Sequence, residues 1–263
     1  MNDPGTMIAV VLICTALLIL GVVLAVVWGR LDLREPEPRP PATTRSQAVR
    51  DALRRYAWWA NVAAIAAVLS GALAATAGGL LVMRITGMAA PPSTQGLVAG
   101  LVAGFLGTFA YTLARRWLPS GWWTGPVLGL FLLVVFGPVW APLHSYNPDF
   151  TILGPNWLAA LLFAGLAIVH GCLVVAVARW ASHRVPALSA RTLPAYLPLL
   201  LAIIFYPAGV LLVLGALVAA VAALAMPPRR RITVTQWAGR AMIIVVALLS
   251  LPAFILSVTL AFR

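Results

Sequence analysis

The chain consists of long apolar runs separated by short segments that hold most of its polar and charged residues. A helix needs about 20 mostly apolar residues to cross the ~30 Å hydrocarbon core of a bilayer. The first run is too long for a signal peptide and no basic residue precedes it, so we expect it to be retained as a span. The stretches that meet the length requirement are 7–29, 57–83, 95–114, 124–142, 157–178, 197–226 and 240–261. The pattern predicts an all-α integral membrane protein in which residues 1–263 form a single transmembrane domain, a polytopic bundle of about seven transmembrane helices with short loops.

The segment 197–226 is longer than a straight span requires. As one straight helix it would measure about 45 Å at ~1.5 Å per residue, which exceeds the ~30 Å apolar core. It contains Pro198, Pro207 and Gly209, so it is either one tilted and kinked helix or a re-entrant hairpin broken near Tyr206 and Pro207. We favour the kinked helix, because broken backbone that faces lipid leaves polar groups unpaired. The choice decides on which side of the membrane the C-terminus lies.

All ten tryptophans lie at or near an end of a predicted span. An indole ring prefers the headgroup region of a bilayer, where the ring is buried and its N–H reaches water. The positions are Trp28, Trp58, Trp59, Trp117, Trp122, Trp123, Trp140, Trp157, Trp180 and Trp237. They support the predicted span boundaries independently of hydropathy.

Residues 30–56 form the longest polar segment, a linker rich in proline and arginine. The run 35–41 alternates proline with charged residues, which predicts an extended polyproline II conformation. Residues 46–56 place apolar side chains on one face at helical spacing and predict one short interfacial amphipathic helix. The segment is either a docking arm for a cytoplasmic partner or a solvated linker held on the lipid surface, and we favour the linker.

Composition supports the membrane assignment, and the charge predicts an orientation. The chain is 62% hydrophobic and 9% charged, with a mean hydropathy of +1.00, which is typical of a membrane protein. Its 18 basic residues are all arginine, and its net charge is +12. With the N-terminus outside, 13 arginines lie in cytoplasmic segments and five lie outside. The positive-inside rule therefore predicts an external N-terminus and a cytoplasmic linker 30–56.

The same charges indicate the environment and the partners. Arginine without lysine is typical of a GC-rich coding sequence, so we expect a multi-pass protein of a bacterial plasma (inner) membrane. The expected partners are the lipid bilayer, other membrane subunits and anionic lipid. Nucleic acid is not expected as a partner, because no basic segment is interleaved with aromatic residues in a folded polar domain. The arginines expected to contact lipid are Arg50, Arg54, Arg55, Arg115 and Arg116.

A row of glycines follows the third predicted span. Gly96, Gly100 and Gly104 recur every fourth residue and are followed by Gly107. Such spacing allows the backbone of another helix to approach closely. We expect the partner helix to belong to this chain, because six other spans are available.

One polar cluster lies in the predicted external loop between the fourth and fifth spans. It contains His144, Tyr146, Asn147 and Asp149, and Asp149 is the one acidic residue after position 51. His144 and Asp149 are candidates for an acid–base pair or part of a metal site. The alternative, which we favour, is an Asn-Pro turn in which Asp149 accepts local backbone hydrogen bonds. No third ligand occurs at a recognisable spacing, so no metal is predicted.

Two polar residues within predicted spans are a second candidate site. His170 lies in the middle of the fifth span, and Asn61 lies in the second. With three histidines in the whole chain, a haem held by paired histidines is not expected. We expect His170 and Asn61 to hydrogen-bond to neighbouring helices.

Residue types and motifs that the sequence lacks exclude several classes of function. Without lysine the chain has no Schiff-base or phosphate-loop lysine, and no nucleotide-binding or serine-hydrolase motif occurs. No cofactor and no catalytic residue is predicted. The leading hypothesis is a non-catalytic accessory, scaffolding or assembly subunit of a larger membrane complex. The alternative is a transporter or carrier of an apolar or lipid-like molecule, and a membrane enzyme acting at the external face ranks third.

Overall fold

The computed structural model describes residues 4–34, 44–78, 81, 94–115, 117–119, 121–138, 156–204, 208–225 and 228–261. Among these residues there is no β-strand, and the elements are helices joined by short connections. The α-helices of this part of the chain are α1 (Pro4–Trp28), α2 (Arg45–Ser70), α3 (Thr94–Ala114), α4 (Thr124–Phe136), α5 (Asn156–Arg184), α6 (Leu197–Ile204), α7 (Ala208–Ala225) and α8 (Pro228–Ala261). A π-helical segment, Gly71–Thr76, continues α2, and 3-10 helices form at Gly121–Trp123 and Ala190–Tyr196.

The predicted all-helical class is confirmed for the described residues, together with the presence of long apolar helices. Four helical stretches are long and apolar enough to cross a membrane: Val11–Trp28, Arg45–Ala74, Ala160–Arg184 and Ala241–Thr259. Shorter apolar helices occur at Gly100–Ala114, Gly121–Phe136, Ala190–Ile203 and Leu212–Val221. The fold is therefore compatible with an integral membrane protein.

Two helices begin well before the spans predicted for them. The predicted interfacial helix 46–56 and the span that follows it form the single helix α2, whose first turn is capped by the Thr44 hydroxyl accepting from the Gln47 N–H at 3.3 Å. Helix α8 begins at Pro228, well before the predicted span at 240. Proline is favoured in the first turn of a helix, because the N–H that it lacks has no partner there.

The segment 197–226 contains two helices rather than one, and residues 205–207 between them lie outside the described part. Helices α6 and α7 pack against each other, and both contact α2. The Asn61 side chain accepts from the Leu199 N–H in the first turn of α6 at 3.3 Å, while the Tyr56 hydroxyl donates to the Leu212 carbonyl in α7 at 2.7 Å. Five residues of α2 separate these two contacts, whereas 13 residues separate Leu199 from Leu212. This compact arrangement places α6 and α7 side by side on α2.

Helix α5 is the centre of the packing. Seven consecutive residues, 173–179, are buried, and the helix contacts α1, α2, α3 and α4. Small residues allow the closest approaches, since Gly129 of α4 lies against the Ala167 carbonyl and Gly171 of α5 lies against Gly125. Close backbone packing of this kind is what glycine supplies at helix contacts in membranes.

Several helix ends meet at one end of the bundle, which we call the basic end (residues 28–34, 115, 117–119, 121 and 179–185). Trp28, the last residue of α1, stacks on Trp180 with ring centroids 4.6 Å apart. The Arg34 N–H donates to the Ser182 hydroxyl at 3.0 Å, and His183 Nε2 lies 2.7 Å from the Asp32 carbonyl. The start of the linker is therefore fixed along the last turns of α5.

Candidate functional site

A cavity of about 380 Å³ lies between α2, α3, α6 and α7, and we call it the inner cavity. One wall is α2, which contributes Ala60, Ala63 and Ala64 after the larger Tyr56 and Trp59. These positions are three or four residues apart, so they share one face of the helix. Because the alanine side chains are short, this face leaves open space opposite α3.

The facing wall is α3, and it is apolar except for three residues. Phe105 and Phe109 supply aromatic surface. Thr108, Thr112 and Arg115 also line the inner cavity, and their i, i+4, i+7 spacing places them on one side of the helix. The inner cavity is thus an apolar space with a row of polar groups along one wall.

Arg115 forms the charged end of the inner cavity. Its backbone N–H donates to the Tyr111 carbonyl at 2.7 Å at the end of α3. Its guanidinium carbon lies 3.4 Å from the centroid of a Trp59 ring, a cation–π contact. Trp59 packs edge-on against Trp58 at 4.8 Å, and Trp58 Nε1 donates to the Val185 carbonyl at 3.0 Å. The position of the Arg115 charge is therefore supported by two tryptophans tied to the basic end.

A larger open groove of about 730 Å³, which we call the outer groove, lies beside the inner cavity. Arg50 and Arg54 line it, and Tyr56, Ala60 and Leu212 line both spaces. The hydrogen bond from the Tyr56 hydroxyl to the Leu212 carbonyl therefore lies where the inner cavity and the outer groove adjoin.

Arg179 is a buried cation of α5 that is not among the residues predicted to form a site. It is 9% exposed, and its guanidinium donates to the Gly29 carbonyl, to the Gly121 carbonyl at 3.1 Å and to the Thr124 hydroxyl at 3.3 Å. Gly121 has φ +86°, which glycine adopts readily. These bonds join the ends of α1, α4 and α5, so Arg179 has a structural role. An arginine directly after a long apolar run, with a tryptophan next to it, was the signal that could have identified it.

The two polar residues predicted within spans contact different segments. Asn61 is fully buried, and its Nδ2 donates to the Ala195 carbonyl at 2.9 Å. His170 is buried with Nε2 3.2 Å from the Ala103 carbonyl of α3. The structure shows no hydrogen bond between Asn61 and His170, so the pair does not form one polar site.

The predicted glycine row lies at a contact within the chain. Gly104 of α3 packs against the Ala67 carbonyl and Gly71, and Gly100 also lies against Gly71. Gly107 faces the imidazole of His170, and Gly96 belongs to the same helix.

The remaining predicted residues are either exposed or not described. Arg55 is exposed on α2. No cluster of three or more histidine, cysteine, aspartate or glutamate side chains that could hold a metal ion occurs among the residues described. The predicted residues that lie outside the described part are His144, Tyr146, Asn147, Asp149 and Arg116.

We compared the chain with protein-family models, with curated proteins and with solved structures. None of the three comparisons found a match.

Proposed function

We propose that the protein is a multi-pass membrane protein that binds a lipid-like molecule with an anionic head in the inner cavity, as a carrier or transporter of that molecule. The observation that carries this proposal is the apolar space between α2 and α3 with the Arg115 guanidinium at one end. Ligand pockets are mostly apolar, with a few polar groups that fix the orientation of the ligand. An arginine pairs well with a carboxylate or phosphate, because its donors form a planar fork.

The size of the inner cavity favours one apolar chain. Its volume of about 380 Å³ is near the lower end of the ~300–1,000 Å³ range of ligand pockets. A single acyl or similar chain fits such a space better than the whole of a two-chain lipid. Burial of that chain is favourable by ~25 cal/mol per Å² of apolar surface removed from water.

The topology proposed with this function has six spans and one re-entrant hairpin over 197–226, an external N-terminus and a cytoplasmic basic end in a bacterial plasma membrane. Contacts between residues 28–34 and 179–185 support a common side for these segments. The basic end then faces the leaflet surface where arginines are favoured and anionic lipids are abundant. For 197–226 we now favour the hairpin over the kinked helix, because α6 and α7 pack side by side on α2.

Filling the inner cavity tests the proposed function. Purified protein in detergent is titrated with a fluorescent long-chain fatty acid, and we expect saturable binding that Ala63→Phe removes, because the new ring occupies the cavity. Ala16→Phe is the matched control, since Ala16 is exposed on α1. Arg115→Gln is expected to weaken binding of the acid about tenfold without weakening binding of the neutral methyl ester. Equal binding by Ala63→Phe and Ala16→Phe would refute the proposal.

The other two hypotheses stay predictions. The exposed apolar surfaces of α1 and α8 suit lipid as well as a partner helix, so they do not select the accessory-subunit function. The external-face enzyme rests on His144 and Asp149, which lie outside the described residues.

A further inference from the structure

We propose that the outer groove is a second lipid site, which binds an anionic phospholipid with its head at Arg50 and Arg54 and one acyl chain along the apolar lining. The occupant is a lipid of the leaflet at the basic end. This inference goes beyond the proposed function, because it concerns a different space and a different ligand.

The part of the outer groove that α2 lines has a charged end and an apolar end. Ser46, Arg50 and Arg54 line the groove and recur every fourth residue, so they form one row on the surface of the helix. Ala57 and Ala60 continue the lining with apolar side chains. From Ser46 to Ala60 the lining extends over about 21 Å at ~1.5 Å per residue. The two ends of the groove therefore match the two ends of an amphiphile.

The arginine pair favours a negatively charged head. Arg50 and Arg54 are both exposed and lie one helical turn apart, a spacing at which like charges repel each other. A phosphate between them replaces this repulsion with charge-assisted hydrogen bonds. Residues 45–55 carry four arginines and one aspartate, and this Asp51 does not line the groove. The facing helices α6 and α7 contain no charged residue, so an anionic head is preferred over a zwitterionic one.

The remaining lining of the outer groove is an apolar surface built by three helices. Leu53 of α2, Ile203 of α6 and Val213 of α7 all line it, and all three are exposed. Leu188 and Leu199 also contribute to it. Adjacent exposed apolar side chains of this kind mark a surface that binds a lipid or a partner.

The position of the arginine pair identifies the occupant as a lipid. Trp58 Nε1 donates to the Val185 carbonyl at the basic end at 3.0 Å, and Arg54 precedes Trp58 by one turn of α2. Indole rings prefer the headgroup region of a bilayer, where anionic lipids present their phosphates. A second copy of this chain, with a net charge of +12, would bring further positive charge towards the arginines.

Native mass spectrometry of the full chain in detergent tests the head of this site, because it counts bound lipids and shows the number of chains. We expect one dioleoylphosphatidylglycerol to bind about tenfold more tightly than dioleoylphosphatidylcholine. The double variant Arg50→Gln and Arg54→Gln removes this preference. The matched control is the double variant Arg45→Gln and Arg191→Gln, which loses the same charge at two exposed positions outside the groove and keeps the preference.

Filling the outer groove tests the site of the acyl chain. Val213→Trp is expected to lower the affinity for both lipids about tenfold, because the indole occupies space that the chain would take. Val218→Trp is the matched control, since Val218 is an exposed residue of the same helix that does not line the groove. We expect this control to bind both lipids as the unmodified protein does.

The outcomes separate this inference from the proposed function. Phosphatidylglycerol binding is expected to persist in Ala63→Phe, because Ala63 lines the inner cavity and not the outer groove; its loss there would overturn the second site. A preference that survives the substitution of Arg50 and Arg54 overturns the head site, and equal binding by Val213→Trp and Val218→Trp overturns the chain site. A dimer that Val213→Trp dissociates would assign the groove to a second copy and overturn the inference.

Discussion

Arg179 offers the sharpest test of how the helix ends are held together. Its side chain is replaced in Arg179→Met, which keeps an apolar stem and removes the guanidinium. The Gly29 and Gly121 carbonyls and the Thr124 hydroxyl each lose a donor. Because one acceptor follows α1 and the other two lie in the helical stretch Gly121–Phe136, the variant weakens the joint between α1, α4 and α5 rather than one helix.

The expected magnitude follows from the two carbonyl contacts. A hydrogen bond from a charged donor contributes ~1.5–3 kcal/mol, so two of them amount to about 3–6 kcal/mol. The variant does not bury a charge, so the desolvation cost of the Arg179 guanidinium disappears and offsets several kcal/mol of this loss. Gly121 is exposed, so water can replace the donor that its carbonyl loses. We expect a net loss of about 2 kcal/mol.

Thermal unfolding in detergent measures this loss. For a chain of this size ~2 kcal/mol corresponds to a fall in Tm of about 4–8 °C. Arg191→Met is the matched control, because Arg191 is exposed, and surface changes of this type stay within about 0.5 kcal/mol. If both variants show the same Tm, the Arg179 guanidinium does not hold the helix ends together.

Two further predictions concern packing and orientation. Gly104→Ala is expected to lower the free energy of unfolding by about 1–3 kcal/mol, because an added Cβ overlaps the Ala67 carbonyl. Gly165→Ala, which has open space around it, is expected to stabilise α5 by up to about 1 kcal/mol. Chemical denaturation of the two variants in parallel distinguishes these effects, and equal effects would contradict the close α2–α3 contact. Arg191→Cys, in a variant lacking the two native cysteines, is expected to react with a membrane-impermeant maleimide only after right-side-out vesicles are opened, and labelling of sealed vesicles would reverse the proposed orientation.

The helices could be predicted from the sequence because their signal is local. A run of apolar residues specifies a long helix wherever it packs, and the helix α3, Thr94–Ala114, differs from the predicted span 95–114 by one residue at its start. The length of α2 could not be predicted in the same way. Its amphipathic and apolar parts have different compositions, and only the unbroken backbone through residue 57 shows that they form one helix.

The candidate site depends on contacts between distant residues, and this limits prediction from the sequence. Arg115 was identified as a basic residue at a span end, but its position over Trp59 depends on how α2 and α3 are rotated against each other. The space beside it exists because Ala63 faces α3 at that rotation.

The uninterrupted course of α2 has a mechanical consequence. One continuous helix carries both Arg50 and Arg54 of the outer groove and Trp59 and Ala63 of the inner cavity. The outer groove and the inner cavity therefore share one rigid wall. Because Tyr56 lines both spaces, any change in the tilt of α2 would alter the two volumes together.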